Sequence, residues 1–441
     1  MLSFFRIQNY RSILDMKVDF SYAEKKAPNQ YDKLTKIPFL EIDKDNRFIP
    51  SLAIYGANAS GKTNIIRAFS DYKTLIHKSK IKGFYFPNKL NRKYTTAIFE
   101  IEFFVDKDKY RHFVEYDNES IKKENLYKNK KIIYEIDNML QQNNFENIAT
   151  AEYDKNKITA ILNVECSQQT EQSVYIQNKV FLSVIAKQYS GLNTDITNTY
   201  KAINDIFVSG SNDFVANALE KCNLENDISL LEKTAHFIKK FDIDISKIQP
   251  VVKKFPAADI FPESMINQLD ALDEAGQKQF KYNSKEHIVY NETIDVYHKD
   301  IDNTEVVFNF YEESSGTQLL FGLMYTILKA LDSGRTLIID EIDKSIHPLI
   351  FAKITELFKD RDYNTKNAQL IFTTHCTDIL EMDILRISEV ATINKTLNNG
   401  STITRISDFK YTEKFKNIRN TTDFRKLYLQ GTFNGIPYAY I

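Results

Sequence analysis

The residues best suited to chemistry lie at positions 56–63, which read Gly-Ala-Asn-Ala-Ser-Gly-Lys-Thr. This segment matches the phosphate-loop pattern G-x-x-x-x-G-K-[ST] at every fixed position. In such a loop, backbone N–H groups and a helix N-terminus hold phosphate oxygens, and a threonine hydroxyl is a ligand for Mg²⁺. We therefore predict a nucleotide site in which Lys62 adds positive charge at the β- and γ-phosphates and Thr63 contacts the metal.

Two acids end a second apolar run, at residues 336–341, which reads Thr-Leu-Ile-Ile-Asp-Glu. We expect a buried strand that places Asp340 to hold Mg²⁺ through its water shell and Glu341 to polarise an attacking water. A further apolar run, at residues 371–375, ends in His375, which we expect near the γ-phosphate. Each feature alone is also typical of an ordinary core strand, so the interpretation rests on their combination with the phosphate loop.

Small residues precede these acids in the run Glu-Ser-Ser-Gly-Thr-Gln at positions 313–318. A helix N-terminus of small residues is a second anion site, although a plain serine N-cap would give the same residues. One chain does not need two such sites for one γ-phosphate, whereas two chains facing head to tail do. The pattern favours a homodimer, or a higher homo-oligomer, in which each copy completes the other's site.

The elements that must position these residues follow an α/β pattern. An apolar run at residues 51–55 precedes the phosphate loop, and helical spacing follows it from Asn64. Strands and helices alternate again after Thr317, which indicates a parallel sheet covered by helices. Residues 94–105 and 110–116 predict a hairpin, so the N-terminal part is rich in β-structure.

Composition bounds the class of protein. A chain of 441 residues is too long for one compact core, and 43% hydrophobic with 27% charged residues is typical of a folded globular protein. The net charge of −1 creates no overall basic field, so any contact with nucleic acid has to be local. Three cysteines show no zinc spacing and suit a reducing cytoplasm: Cys166, Cys222 and Cys376. We find no membrane-spanning or signal-peptide pattern and expect a soluble cytoplasmic protein.

Taken together, the phosphate loop, the small-residue signature, the Asp-Glu pair and the strand-end histidine resemble the head of an ABC-type ATPase. SMC and RecF heads are similar, and the OLD-like bacterial defence ATPases are more similar still. Residues 5–12, Phe-Arg-Ile-Gln-Asn-Tyr-Arg-Ser, resemble the family's first strand and nucleotide-facing turn. Residues 427–437, Leu-Tyr-Leu-Gln-Gly-Thr-Phe-Asn-Gly-Ile-Pro, resemble the ending of stand-alone ATPase subunits of the RloA, AriA and PtuA type.

The resemblance implies roles for individual residues. Asp340 and Thr63 would bind Mg²⁺, Glu341 would be the catalytic base, and Lys62 and His375 would assist at the γ-phosphate. The residues implied to contact ATP are Arg11, Gly56, Ala57, Asn58, Ala59, Ser60, Gly61, Lys62, Thr63 and Asn64 of one chain, with Ser314, Gly316 and Asp343 at the seam with the opposite subunit. The signature departs from the family by reading Ser-Ser-Gly rather than Ser-Gly-Gly, and no Q-loop glutamine can be assigned.

The resemblance also implies the α/β fold of an ABC-type P-loop NTPase head. We expect a β-rich N-terminal lobe with the phosphate loop at residues 1–136. A RecA-like, parallel-sheet lobe at residues 286–441 would carry four motifs. They are the signature at Ser314, the Walker B acids Asp340 and Glu341, the D-loop at Asp343 and the H-loop histidine, His375. Residues 137–285 lack heptads, and Pro250 and Pro256 interrupt their helical pattern, so we expect a compact, mostly helical insertion rather than a coiled coil.

Three functions are compatible with these motifs. The first, implied by the resemblance, is an ATPase subunit of a bacterial anti-phage (abortive-infection) system. It would respond to a phage protein and regulate a separate effector, such as a Toprim-like or HNH nuclease or another toxin, because no D-x-D cluster follows His375. The second is a RecF- or SMC-like DNA-repair ATPase that binds DNA directly, and the third is a scaffold in which ATP is only structural. Lysine-rich residues 121–131 and 410–426 are either solvated faces or contacts for nucleic acid or an acidic partner.

Overall fold

A computed structural model describes residues 1–22, 39–90, 92–171, 174–210, 228–241, 245–274, 282–344, 346–382, 384–409, 424–433 and 435–436. The chain divides into two compact units: Met1–Ser211 together with Ala330–Ile441, and Asn212–Lys329. Cys222 and most of the lysine-rich segment at 410–426 lie outside the described residues.

The strands and helices are numbered along the chain. The strands are β1 (Leu2–Tyr10), β2 (Ile13–Asp19), β3 (Leu40–Glu41), β4 (Arg47–Phe48), β5 (Ser51–Gly56), β6 (Ala97–Val105), β7 (Asp108–Tyr116), β8 (Ile121–Lys128), β9 (Lys131–Asp137), β10 (Gln142–Asn144), β11 (Ser167–Gln169), β12 (Tyr175–Gln177), β13 (Phe207–Gly210), β14 (Lys247–Pro256), β15 (Tyr282–Asn283), β16 (Ile288–Lys299), β17 (Glu305–Asn309), β18 (Thr336–Asp340), β19 (Gln369–Thr373), β20 (Val390–Thr396) and β21 (Gly400–Arg405). The helices are α1 (Lys62–Lys78), α2 (Lys155–Ile161), α3 (Phe181–Gln188), α4 (Thr194–Asp205), α5 (Ile228–Lys239), α6 (Ala257–Ile260), α7 (Glu263–Glu274), α8 (Ser315–Ser333), α9 (Pro348–Leu357) and α10 (Phe424–Leu429).

One 13-stranded sheet runs through the first unit, in the order β10-β9-β8-β7-β6-β1-β2-β21-β20-β5-β19-β18-β13. The five strands from β20 to β13 are parallel neighbours. The strands from β10 to β2 pair antiparallel. The predicted α/β class, with a β-rich N-terminal part and a parallel-sheet part, is confirmed, and the two parts share a single sheet.

The parallel strands are buried because their sequences are almost continuously apolar. Every residue of β5 and β19 is buried, as expected for strands covered on both faces. Helix α1 covers one face, where Phe69 stacks on Phe5 of β1 with ring centroids 4.0 Å apart. Since β5, β19 and β18 are adjacent and parallel, Gly56, Thr373 and Asp340 end at the same edge of the sheet. A ligand site is expected at such an edge.

The second unit differs from the predicted insertion in its limits. It begins at Asn212, so the predicted boundary at residue 137 lies within the first unit. Helices α5, α6 and α7 and the first part of α8 accompany a four-stranded antiparallel sheet of β14, β16, β15 and β17, so this unit contains both helices and strands. Strand β14 contains Pro250 and Pro256, and among the described strands it pairs only with β16. Proline is tolerated on such an edge strand because one side needs no ladder donor.

Candidate nucleotide-binding site

The phosphate loop connects the end of β5 at Gly56 to the start of α1 at Lys62. Two residues of the loop, Ala59 and Gly61, have left-handed backbone angles, with φ of 61° and 113°. A Cβ atom at Gly61 would lie 2.3 Å from Ser401 Oγ, so both the backbone angle and the space require glycine there. Because Gly61 has no side chain, it leaves the first N–H groups of α1 uncapped, as an anion site needs.

The side chain of Lys62 folds back over the loop. Its Nζ donates to the carbonyl oxygens of Gly56 at 2.6 Å and Ala57 at 3.2 Å. Burial lowers the pKa of Lys62 below its ordinary value. Three nearby carboxylates oppose this shift: Asp340, Glu341 and Asp343. The predicted phosphate-binding lysine and the predicted acids therefore lie within electrostatic reach of each other.

Thr373, at the end of β19, holds both acids of the Asp-Glu pair. Its hydroxyl donates to Asp340 Oδ1 and accepts the backbone N–H of Glu341 at 2.8 Å. Glu341 has a φ of 50°, an uncommon angle for a residue other than glycine, and such angles occur often at functional sites. Sequence reasoning missed Thr373, for which the one available signal was a polar residue near the end of a buried strand.

Asp343 and His375 meet beside these acids. The backbone N–H of His375 donates to Asp343 Oδ2 at 3.3 Å. The other oxygen of Asp343, Oδ1, is buried and has no hydrogen-bond partner in the part of the chain that the structure describes. The side chain of His375 is exposed, so it is free to meet a ligand or another chain. The assigned roles, γ-phosphate contact for His375 and dimer seam for Asp343, stay predictions.

A second polar cluster supports the loop from β21 and the turn between β1 and β2. The Ser401 hydroxyl donates to the Ser60 carbonyl oxygen at 2.6 Å and lies 2.8 Å from the Ser12 hydroxyl. Asn64 Nδ2 donates to Ser12 Oγ at 2.7 Å. Ser401 was not predicted, because its contact with the loop depends on the pairing of β2 with β21 and leaves no local sequence signal.

Arg11 lies in the turn that the sequence predicted to face the nucleotide. Its guanidinium carbon lies 4.4 Å from the ring centroid of Phe86, and its Nε donates to the Tyr10 hydroxyl at 3.0 Å. Tyr10 in turn donates to Asp71 Oδ2 at 2.6 Å, and burial raises the pKa of Tyr10. The structure thus fixes Arg11 on an aromatic surface next to Ser12, while its contact with nucleotide stays a prediction.

Ser314 and Gly316 lie at the start of α8 in the second unit. The Ser314 hydroxyl accepts the backbone N–H of Thr317 at 3.1 Å, so this serine is an N-cap, the alternative noted from the sequence. Ser314 is exposed, and a Cβ at Gly316 would meet only Ser314 Oγ, at 3.8 Å. A cap does not exclude an anion site, and the role of these residues toward another subunit stays a prediction.

The residues of the first unit fit a magnesium nucleotide. The Ser60 hydroxyl, like Asp343 Oδ1, is buried without a hydrogen-bond partner among the described residues, which is unusual for polar atoms. Thr63 and Asp340 offer the oxygen ligands that Mg²⁺ prefers. Within the described ranges no group of three or more His, Cys, Asp and Glu residues could hold a metal on its own. Mg²⁺ bound by one or two protein groups together with phosphates does not need such a cluster.

The lysine-rich segment at residues 121–131 forms β8 and the start of β9. Ion pairs occupy three of its five lysines: Lys122 with Asp117, Lys123 with Asp137, and Lys128 with Asp108 and Asp195. The segment therefore presents much less free positive charge than its sequence suggests. This favours the solvated-face interpretation over a contact with nucleic-acid backbone.

Known proteins resemble the chain in sequence and in fold. The family model described as "AAA domain, putative AbiEii toxin, Type IV TA system" matches residues 51–151 and 216–381. No curated protein matches significantly. None of the described helices is long and apolar enough to cross a membrane.

Similar solved structures include three SMC heads. One is an SMC head bound to the C-terminal winged-helix domain of ScpA, with 12% identity, a TM-score of 0.41, and coverage of 91% of this chain and 96% of that one. The SMC head domain of Thermotoga maritima has 12% identity, a TM-score of 0.40, and coverage of 92% and 98%. An SMC head with an extended coiled coil, bound to a C-terminal ScpA domain from Pyrococcus furiosus, has 11% identity, a TM-score of 0.40, and coverage of 91% and 95%. Likeness at this level says nothing about partners or substrates.

Proposed function

This chain belongs to the AAA-domain family described as a putative AbiEii toxin of a type IV TA system, and from that premise we propose that it binds and hydrolyses ATP with Mg²⁺. The observation that carries the proposal is the convergence at one sheet edge of Lys62, the Thr373-bonded acids and His375. These residues lie at or after the ends of three different strands, β5, β18 and β19, and the same edge holds two buried polar atoms without partners among the described residues. An ordinary core edge does not need such an arrangement.

In the proposed mechanism the loop N–H groups and Lys62 bind the phosphates. The lysine exchanges its bonds to the Gly56 and Ala57 carbonyls for bonds to phosphate oxygens, which restores the charge that burial disfavours. Thr63 and Asp340 would hold Mg²⁺, which when bound neutralises charge that develops on the transferred phosphoryl group.

Glu341 would orient a water for in-line attack on the γ-phosphate and accept its proton. Its backbone is fixed by Thr373, so its carboxylate starts from a defined position rather than from a mobile turn. His375 would contact the γ-phosphate from the neighbouring strand end. These assignments agree with the charge and geometry of the site.

We also infer an ABC-type dimer around two ATP molecules, in which Ser314 and Gly316 of one copy serve the nucleotide of the other. The exposed helix start at Ser314 and the unpartnered oxygen of Asp343 support this arrangement. The helix start is accessible to a second copy, and the buried oxygen of Asp343 lacks a hydrogen-bond partner within the described residues.

In the cell, we propose that this ATPase regulates a separate toxin or nuclease in a bacterial anti-phage system of the OLD-like type. The family's description, which refers to toxin–antitoxin systems, supports a role in such conflict systems. The alternative, a RecF- or SMC-like ATPase that binds DNA directly, is less supported because the lysines of residues 121–131 are largely paired. Strong, salt-sensitive binding of duplex DNA by the isolated protein would favour that alternative.

The enzyme assignment is tested by ATP binding and turnover of the purified chain. We expect Lys62→Ala to lose ATP binding, and Glu341→Gln to bind ATP but lose turnover by about 100-fold or more. Lys78→Ala, at the other end of α1, and Glu356→Gln, on α9, are the matched controls and should behave as wild type. Absence of ATP turnover in the wild type at saturating Mg²⁺, with the neighbouring gene products present, would contradict the enzyme assignment. It would favour the hypothesis of a scaffold in which bound ATP is only structural.

A further inference from the structure

We propose that the C-terminal segment, residues 424–433 with 435–436, is a positioning element of the nucleotide site. It holds the first glycine of the phosphate loop and the turn after His375 in fixed positions relative to each other. The inference rests on the proposed function, because it names further residues that this site requires. Four sets of contacts support it.

The segment is anchored on the strand that leads into the loop. Tyr428, on α10, packs against Tyr55 with ring centroids 5.4 Å apart, and its ring is buried. The Thr392 hydroxyl, on the neighbouring strand β20, donates to the Phe433 carbonyl oxygen at 2.7 Å, and Phe433 is 1% exposed. Two buried aromatic side chains therefore anchor the segment in the packed interior beside β5 and β20.

At Gly435 the backbone of the C-terminal segment lies close to Gly56, the first residue of the phosphate loop. It has a φ of 78°, and a Cβ there would lie 3.1 Å from the Ile393 carbonyl oxygen and 3.5 Å from Gly56 Cα. Gly56 is itself confined, because its own Cβ would lie 3.0 Å from the same Ile393 oxygen. The absence of side chains at Gly435 and Gly56 thus allows three backbone segments, at Gly56, Ile393 and Gly435, to approach each other where the phosphate loop begins.

The same segment binds the turn that follows His375. Arg425 forms ion pairs with Asp378 at 3.1 Å and Glu381 at 2.8 Å, and its Nε donates to the Thr377 hydroxyl at 3.2 Å. A planar guanidinium that engages three groups of one turn fixes the orientation of that turn as well as its distance.

Tyr55 completes the link between the two regions. Its hydroxyl donates to the carbonyl oxygen of Cys376, the residue after His375, at 2.9 Å. Its neighbour Ile54 belongs to the core cluster that includes Phe69 of α1, so alternation along the strand points Tyr55 to the opposite face. Helix α1 supports the loop from one face of the sheet, and the C-terminal segment supports it from the other.

The test compares two glycines of the segment that share the same backbone requirement. Gly431 has a φ of 76°, like Gly435, but its added Cβ would meet only side-chain atoms of Ile436. In the full chain, we expect Gly435→Ala to weaken binding of a fluorescent ATP analogue by about tenfold, and Gly431→Ala by less than about twofold. Thermal unfolding without nucleotide is measured in both variants, because both positions have a left-handed backbone, and it separates a loss of binding from a loss of stability.

Arg425 gives a second, kinetic readout. We expect Arg425→Gln to lower kcat by about tenfold with little change in KM, because it frees the His375 turn and leaves the loop in place. Arg425→Lys, which keeps the charge but not the fork, should recover part of kcat.

Each outcome has a defined meaning. If the wild type binds ATP and Gly435→Ala binds it equally well, the positioning role is wrong while the proposed function stands. Equal losses of binding in Gly435→Ala and Gly431→Ala, tracking the loss of thermal stability, would show a merely structural segment and overturn the inference. A wild type that binds no nucleotide would overturn the proposed function, and this inference with it.

Discussion

Thr373 donates its hydroxyl hydrogen to the carboxylate of Asp340, and this bond joins the carboxyl ends of two adjacent parallel strands. The same hydroxyl oxygen accepts the backbone N–H of Glu341. One small side chain therefore sets the position of the proposed metal ligand and of the proposed base. A catalytic pair built this way depends on the register of β18 against β19 as much as on its own residues.

Replacing that hydroxyl tests how much positioning matters. We expect Thr373→Val to reduce kcat by about 10- to 100-fold while ATP affinity changes less, because both acids lose a bond that fixes them. Thr373→Ser keeps the hydroxyl and is the matched control. Steady-state ATPase assays with a separate binding measurement check the result, and equal kcat values for the valine and serine variants would contradict it.

Removal of the Ser401 hydroxyl should affect ATP binding more than ATP turnover. This hydroxyl is fully buried and contacts both the Ser60 carbonyl and the Ser12 hydroxyl. Removing it in Ser401→Ala leaves those groups short of a partner at a cost of about 1–3 kcal/mol, part of which falls on the loop's ATP-binding conformation.

We expect ATP affinity of Ser401→Ala to fall by about three- to tenfold in titration calorimetry, with kcat at saturation nearly unchanged. Ser407→Ala, beyond the end of the same strand, is the control. A drop in kcat with unchanged affinity would instead place Ser401 in the chemical step.

How far the sequence predicted this site depends on whether each contact is local. The phosphate loop, the acids and the helix start at Ser314 have local patterns, and each lies on the element that was expected. Thr373, Ser401 and Gly435 act through strands or turns distant in the chain, so no window of sequence contains both partners.

The fold shows the same division. The strands at 336–340 and 369–373 follow from apolar runs, and the hairpin at 97–116 follows from alternation. The helical pattern predicted for residues 137–285 is interrupted at Pro250 and Pro256, and both prolines lie in strand β14. Proline also occurs on edge strands, and whether a strand lies at an edge is a property of the folded sheet that local periodicity does not contain.

The proposed dimer predicts an ATP-dependent change in size. Glu341→Gln should retain ATP, so we expect its sedimentation coefficient to rise toward that of a dimer when Mg²⁺ and ATP are added. Adding Ser314→Arg should abolish the rise, because a large side chain at this exposed helix start would block the neighbouring nucleotide.

The control is Ser407→Arg in the same Glu341→Gln background, which should leave the rise intact. A monomer with and without ATP would contradict the sandwich. If the chain is already oligomeric without ATP, ATP hydrolysis is measured instead. Ser314→Arg in the wild-type background should lose ATP hydrolysis, and unchanged hydrolysis would exclude the composite site.

The buried ion pair between Lys359 and Glu389 gives a prediction about stability. Both side chains are at most 2% exposed, and Glu389 also accepts the Ser51 hydroxyl at 2.9 Å and the Arg386 backbone N–H at 2.9 Å. Burial lowers the pKa of Lys359, which the carboxylate of Glu389 opposes. This pair ties the start of β5, and so the strand that leads to the phosphate loop, to the segment before β20.

We expect Glu389→Leu to lower the free energy of unfolding by about 3–5 kcal/mol, since it leaves the ammonium of Lys359 buried without a counter-charge. The double variant Lys359→Met with Glu389→Leu should recover much of that loss, because it removes both desolvated charges together. Urea unfolding of the two single variants, Glu389→Leu and Lys359→Met, and of the double variant measures these free energies. If the loss of unfolding free energy in the double variant equals the sum of the losses in the two single variants, the two side chains contribute independently. That result would contradict a stabilising ion pair between Lys359 and Glu389.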